Sequence, residues 1–166
     1  MKNLTVVGID AGKKGAFATI SDRALTGITD FEDFSKTANA LTKTLYPLIL
    51  ESDRLIVCIE KVQSWGKDER RGAPTAFALG ENYGFYLGVL ATLNLNAYTI
   101  RPQEWKKFFN LIGKNKMGSM KKAKELYPEA NLEGVRGGMK DGRADSLLIA
   151  HYGSMYFRGL DSRIRG

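Results

Sequence analysis

The sequence predicts an α/β fold, in which a five-stranded mixed sheet, three antiparallel strands followed by parallel ones, carries helices on both faces. Short β-branched runs separated by turn residues stand near the N-terminus, and stretches with helical spacing of apolar residues alternate with later apolar runs. The early strands follow one another closely enough to pair antiparallel. The later strands are separated by helical crossovers, so we expect them to be parallel.

Five runs are predicted to be strands. LTVVGID ends at Asp10, and GAFATI and ALTGIT follow it after short turns. LIVCIE, which ends at Glu60, is apolar throughout, as expected of a parallel strand covered on both faces, and NAYTI is the fifth run. If the first and fourth strands are neighbours, Asp10 and Glu60 lie side by side at their carboxyl ends, where open α/β sheets usually have their sites.

Five stretches are predicted to be helices. Residues 35–52 carry an apolar stripe in which Pro47 marks a kink or an early end. PTAFALGENYGFYLGVLATL and PQEWKKFF each begin with proline, which favours the first turn of a helix. We expect a basic helix over about 120–127 and a final helix from near Asp141 to about residue 157.

Length and composition indicate one globular domain over residues 1–166, with enough apolar residues for a core. The one cysteine, Cys58, lies inside LIVCIE, so neither a disulfide framework nor a Cys/His zinc site is expected and a reducing cytoplasm fits best. No stretch offers the roughly 18 uninterrupted apolar residues of a spanning helix, so we expect no membrane association.

The positive charge is concentrated in one segment. The chain has a net charge of +7, and residues 101–124 alone hold eight basic residues and one acidic residue. A localised patch of this kind suits a polyanion such as DNA, although a solvated helix face is the alternative. The candidate phosphate contacts in this segment are Arg101, Lys106, Lys107, Lys114, Lys116, Lys121 and Lys122.

Four acidic residues at the ends of apolar runs are the candidate metal ligands. A single aspartate after a strand is more often a turn former or a helix cap. Several carboxylates on core elements repel each other, and a divalent cation makes such a cluster tolerable. An all-oxygen set favours Mg²⁺ or Mn²⁺ over zinc. The four residues are Asp10, Glu60, Asp141 and Asp145.

The expected chemistry is two-metal phosphodiester hydrolysis, with Asp10 on a central strand as the bridging ligand. Asp141 and Asp145 lie about 40° apart if both are helical. Because Gly142 follows Asp141 directly, the sequence leaves open whether Asp141 is a ligand or a helix cap. His151 lies about 240° around the helix from Asp145 and is not expected at the site.

These motifs resemble those of a known nuclease family. VVGIDAGKKGAFA, LIVCIEKV and KDGRADSLLIAHYG look like the three carboxylate motifs of RuvC-like Holliday junction resolvases. The segment between them, including PQEWKK, is similar to the middle region of phage, bacterial and chloroplast members, so the resemblance covers nearly the whole chain.

The resemblance implies a ribonuclease H-like fold, a homodimer, two Mg²⁺ or Mn²⁺ ions per site and paired cuts at four-way DNA junctions. It further implies a role in DNA recombination and repair in the bacterial cytoplasm, with a phage gene as an alternative source. Asp10, Glu60 and Asp145 take the catalytic metal-ligand positions, and Asp141 takes the fourth. DGRAD spaces its acids four apart, as in the phage and chloroplast-like branch, whereas bacterial cellular resolvases typically space them three apart.

A glycine strip in the long helix indicates a close contact. Gly80, Gly84 and Gly88 recur every four residues, and each costs about 1 kcal/mol relative to alanine inside a helix. Either the sheet or the same helix of a second subunit is expected to approach this strip. The resemblance favours the dimer interface.

Weaker candidates for DNA contacts flank the acidic motifs. Lys13 and Lys14 follow Asp10 in a turn, and Arg70 and Arg71 share a polar loop with Trp65 over residues 61–72. Solvated lysines and arginines and a packed tryptophan are the alternatives. Trp105 is expected in the core, with stacking on DNA as the less favoured role.

Other functions remain open from the sequence. A nuclease for other branched or flap DNA needs the same acids and the same basic segment. GIDAGKKG also resembles a phosphate-binding turn of actin/Hsp70-type nucleotide-binding proteins, but those need two lobes and this chain has room for one. A non-catalytic DNA-binding module is the third alternative.

Overall fold

A five-stranded sheet flanked by helices is built from residues 3–62, 73–135 and 137–164, the part of the chain that the computed structural model describes. The elements in chain order are β1 Leu4–Asp10, β2 Ala16–Ser21, β3 Ala24–Asp30, α1 Phe34–Glu51, β4 Arg54–Glu60, α2 Ala73–Thr92, β5 Ala97–Ile100, α3 Pro102–Phe108, α4 Lys116–Leu126 and α5 Asp141–Ile164. No helix within these ranges combines the length and apolar character needed to cross a membrane.

The sheet has the strand order β3-β2-β1-β4-β5, which confirms the predicted mixed sheet. Strand β1 is central, antiparallel to β2 and parallel to β4. Strands β2 and β3 are antiparallel, and strands β4 and β5 are parallel. Ile9 is aligned with Ile59 in the β1–β4 register. Asp10 and Glu60 therefore follow side by side at the same edge of the sheet.

Helices cover both faces of this sheet, as predicted. Successive residues of a strand point to opposite faces. Val6 accordingly belongs to a core shared with α3, α4 and α5, whereas Val7 and Ile9 belong to a second core shared with α1 and α2. The sheet is thus buried between two apolar layers, which hold the carboxyl ends of β1 and β4 in fixed positions.

Helix α5 lies directly on the central strands because a glycine of β1 faces the helix and a glycine of α5 faces the sheet. A Cβ atom on Gly8 of β1 would collide with the backbone of Ser146 and Ala150. A Cβ atom on Gly153 of α5 would lie 2.6 Å from the Cys58 Sγ atom. Only glycine permits this approach, and the contact places the first turns of α5 beside the end of β1.

Three helix boundaries differ from the expectation. Helix α1 continues through Pro47 to its end at Glu51, so the early end is wrong. Helix α4 begins at Lys116, one turn earlier than predicted, because the Asn115 side chain accepts a hydrogen bond from a backbone N–H of the first turn. Helix α5 continues about two turns past the predicted end, to Ile164.

We predict that Gly8→Ala lowers the free energy of unfolding by at least about 2 kcal/mol, because the added methyl group meets backbone that cannot move aside cheaply. Gly27→Ala is the matched control: Gly27 lies on the edge strand β3, where a Cβ atom has open space. Urea denaturation of both variants measures the difference. Equal stabilities would contradict the proposed close contact.

Candidate active site

Asp10 ends β1 and its carboxylate is oriented by the turn that follows. The Gly12 N–H donates to Asp10 Oδ1 at 3.0 Å. The Gly12 carbonyl accepts a hydrogen bond from the Gly15 N–H at 2.9 Å and another from Asn82 Nδ2 of α2 at 3.2 Å. The turn is therefore closed on itself and attached to a helix.

The carboxylates of Asp10 and Asp145 are close enough to affect each other's charge. Burial raises the pKa of Asp10 to about 7, and the nearby Asp145 and Asp141 carboxylates add to the rise, although Asp10 keeps part of its surface exposed. Burial likewise raises the pKa of Asp145, with Asp141 contributing. Two partly buried carboxylates from β1 and α5 thus share a region that disfavours negative charge.

Asp145 also carries an unsatisfied atom. Its Oδ1 is buried and has no hydrogen-bond partner within the described ranges. A buried carboxylate oxygen without a partner costs free energy, so such an atom in a folded protein indicates a missing ligand or water. Together with the oxygen-only chemistry of the neighbouring side chains, this oxygen fits a hard divalent cation such as Mg²⁺ or Mn²⁺.

Asp141 is the first residue of α5 and forms an ion pair with Lys116 Nζ of α4. Gly142 does not delay the helix. It allows the first turn to pass the Lys14 carbonyl, with which a Cβ atom at this position would collide. The Asp141 carboxylate is thus at the helix N-terminus, near Asp10 and Asp145, but held by a lysine.

Glu60 lies beside Asp10 at the sheet edge and is partly buried. In the described portions of the chain, no three His, Cys, Asp or Glu side chains are already gathered as a metal site. The structure therefore brings Asp10, Asp141 and Asp145 into electrostatic contact, and it places Glu60 next to Asp10 without closing a complete ligand set.

Two lysines of the basic segment reach the acidic cluster. The Lys106 ammonium opposes the rise of the pKa of both Asp10 and Asp145, and Lys116 does the same at Asp145. The hydrogen bond to Asp141 in turn raises the pKa of Lys116. Lys122 is partly buried and pairs with Glu125. The remaining candidates in the described residues are at the surface: Lys13, Lys14, Arg101, Lys107, Lys114 and Lys121.

Arg70, Arg71 and Trp65 lie outside the described residues, as does the predicted polar loop from position 63 onward. Trp105 is fully buried, as expected. His151 is remote from the acids: its Nδ1 pairs with the Tyr127 hydroxyl at 2.8 Å.

The sequence did not reveal two side chains of this site. The Ser119 hydroxyl of α4 lowers the pKa of Asp145 by hydrogen bonding. Tyr86 of α2 is completely buried, its hydroxyl has no partner within the described residues, and burial together with the nearby Asp10 raises its pKa. Tyr86 is four residues from both Asn82 and Leu90, a spacing that indicates one buried helix face. The glycines of the same helix also recur every four residues, which made this face hard to recognise in the sequence.

The glycine strip of α2 does not pack on the sheet. A Cβ atom on Gly80, Gly84 or Gly88 would meet no atom of the described residues within 4 Å. The expectation that the sheet approaches this strip is therefore wrong, because the opposite face of the helix packs against the sheet.

We predict that, with divalent cations removed by a chelator, stability decreases as the pH rises from about 4 to about 7. The folded protein binds the Asp10 proton more tightly than the unfolded chain does, so the stabilising protonated form is lost over this interval. Asp10→Asn should raise the free energy of unfolding at pH 8 by at least about 1 kcal/mol and flatten the pH dependence.

Thermal unfolding at several pH values measures this effect, with Glu81→Gln, an exposed substitution on α2, as the control. An Asp10→Asn protein that is less stable than the wild type at pH 8 would contradict the electrostatic description.

No protein-family model matches the sequence, and no curated protein matches it. Among solved structures, the chain is similar to Thermus thermophilus RuvC in complex with a Holliday junction substrate, with 14% identity, a TM-score of 0.63 and coverage of 93% of this chain and 95% of that chain. It is also similar to a second Thermus thermophilus RuvC structure, with 16% identity, a TM-score of 0.55 and the same coverages. The chain therefore has the RuvC-like fold, an α/β fold of the ribonuclease H type.

Proposed function

We propose that the protein is a metal-dependent endonuclease that resolves four-way DNA junctions by paired, symmetrical phosphodiester cuts. The observation that carries the proposal is the approach of two partly buried carboxylates, Asp10 and Asp145, within a RuvC-like fold. The similar Thermus protein was solved with a Holliday junction substrate, which supports this class of DNA for the present chain.

The four donors for the metal come from three elements, β1, β4 and α5. Asp10 is on the central strand β1, and Glu60 lies beside it on β4. Asp145 offers an oxygen with no hydrogen-bond partner among the described residues. Asp141 is the fourth donor once Lys116 releases it. When bound, a pair of Mg²⁺ or Mn²⁺ ions supplies activation of a water and stabilisation of the leaving oxygen.

The lysines give the site its affinity for phosphate. Lys106 and Lys116 lie at the acidic cluster, so they hold the scissile phosphate beside carboxylates that would otherwise repel it. Lys107, Lys114 and Lys121 are exposed and contact the flanking phosphates. The lysines near the acidic cluster thus allow DNA, a polyanion, to bind beside negatively charged carboxylates.

A homodimer suits the proposed reaction because a four-way junction has two-fold symmetry and needs two cuts. The open strip of Gly80, Gly84 and Gly88 allows a second helix to approach closely. Phe77, one turn before the strip, is 69% exposed and supplies apolar area for such a contact.

We predict that Asp10→Asn lowers the rate of junction cleavage by more than about 100-fold while leaving junction binding within a few-fold, because loss of a direct ligand exceeds the typical effect of an outer-sphere partner. A labelled immobile junction with Mg²⁺ measures cleavage, and a gel-shift assay with Ca²⁺ measures binding. Normal cleavage by this variant would exclude Asp10 as a ligand.

The same assay separates junction resolution from cutting of other branched DNA. Wild-type protein should nick opposing strands of the junction at symmetrical positions and leave duplexes, forks and flaps largely intact. Efficient cutting of forks or flaps would favour the broader nuclease instead.

We predict that Gly84→Arg converts the proposed dimer into a monomer without unfolding it, because no described residue of the same chain packs against this position and arginine favours helix more than glycine does. Sedimentation equilibrium measures the mass, with Asn39→Arg on the exposed face of α1 as the control. A Gly84→Arg protein that remains dimeric would place the interface elsewhere.

A further inference from the structure

Helix α2 has two faces with different environments. Asn82, Tyr86 and Leu90 recur every four residues and are all buried against the sheet. The glycines, such as Gly84, lie two residues away from these positions, about 200° around the helix, and no described residue packs against them. The buried face would be expected to hold apolar side chains only, yet it carries an amide and a phenol.

Asn82 is the side chain of α2 that forms a hydrogen bond with the turn after Asp10. It is 5% exposed, and its Nδ2 donates to the Gly12 carbonyl across 70 residues of sequence. The N–H of the same residue, Gly12, donates to Asp10 Oδ1. Gly12 therefore connects the Asn82 side-chain amide to the Asp10 carboxylate, with one hydrogen bond to each.

The space around Gly12 is restricted. A Cβ atom there would lie 3.2 Å from Asp10 Oδ1, so the peptide passes directly against the carboxylate. A shift of the turn by a few tenths of an ångström would change the direction of the Asp10 oxygens. The Gly15 N–H donates a hydrogen bond within the turn, and Asn82 attaches the turn to α2. On its other side the turn packs against α5 at Gly142.

We propose that Asn82 is a positioning residue, which orients the Asp10 carboxylate for metal binding by holding the Gly12 turn against α2. This inference rests on the proposed function in so far as Asp10 is a metal ligand. Partners that orient a ligand from outside the coordination shell typically contribute 10–100-fold to metal affinity. Because the opposite face of α2 carries the glycine strip, the same helix connects the proposed subunit contact to the metal centre.

The test compares Mn²⁺ binding to the full chain without DNA, by calorimetry, in wild type, Asn82→Ala and Asn82→Leu. Both variants remove the N–H donor, but alanine is smaller than asparagine and leucine is larger. An effect common to both is therefore due to the lost hydrogen bond and not to a change in volume. Leu90→Ala is the matched control, because it removes buried volume from the same face of α2 two turns away.

We expect the Mn²⁺ dissociation constant to rise by about 10-fold or more in both Asn82 variants and to stay within about 2-fold in Leu90→Ala. Wild-type affinity in the Asn82 variants, or an equal loss in Leu90→Ala, would overturn the proposal. Amide hydrogen exchange of the metal-free proteins gives a second readout: the Gly12 amide should exchange faster in Asn82→Ala while the amides of β1 stay protected.

Unchanged exchange at Gly12 would overturn the positioning role whether or not metal binds. Failure of the proposed function has a different signature. In that case wild-type protein binds Mn²⁺, the Asn82 variants bind it more weakly, and junctions remain uncut by all of them.

Discussion

The direct contact between helix α5 and strand β1 determines where the candidate site can form. Gly8 and Gly153 remove the side chains that would otherwise separate the two elements, and Gly142 lets the first turn of the helix pass the turn after β1. Asp145 is thereby brought to the end of the strand that carries Asp10. A packing feature without any charged group therefore creates the electrostatic centre.

The clustered carboxylates destabilise the protein when no ligand is bound, and they favour the binding of positive charge. The pKa of Asp10 is raised to about 7 by burial and by the neighbouring carboxylates, so the charged form is stabilised only when positive charge arrives. Lys106 and Lys116 supply part of that charge from α3 and α4. The lysine that pairs with Asp141 would compete with a cation for the same carboxylate.

Much of the fold could be predicted because it depends on local patterns. Apolar runs and helical spacing predicted the strand directions, and the parallel register placed Asp10 beside Glu60. The contacts that complete the site could not be predicted, since they join distant segments: the ion pair of Asp141 with Lys116 spans 25 residues. The role of Asn82 was hidden because an amide in a mainly apolar helix has no local signature of its partner.

In the proposed site, Asp10 and Asp145 are brought together to share a divalent cation. Anomalous scattering from crystals of the wild-type protein soaked in Mn²⁺ tests it most directly. We predict an anomalous peak between the two carboxylates, within about 2.0–2.6 Å of an oxygen of each. Mn²⁺ bound elsewhere at saturating concentration, with both carboxylates still uncoordinated, would contradict the proposed metal site.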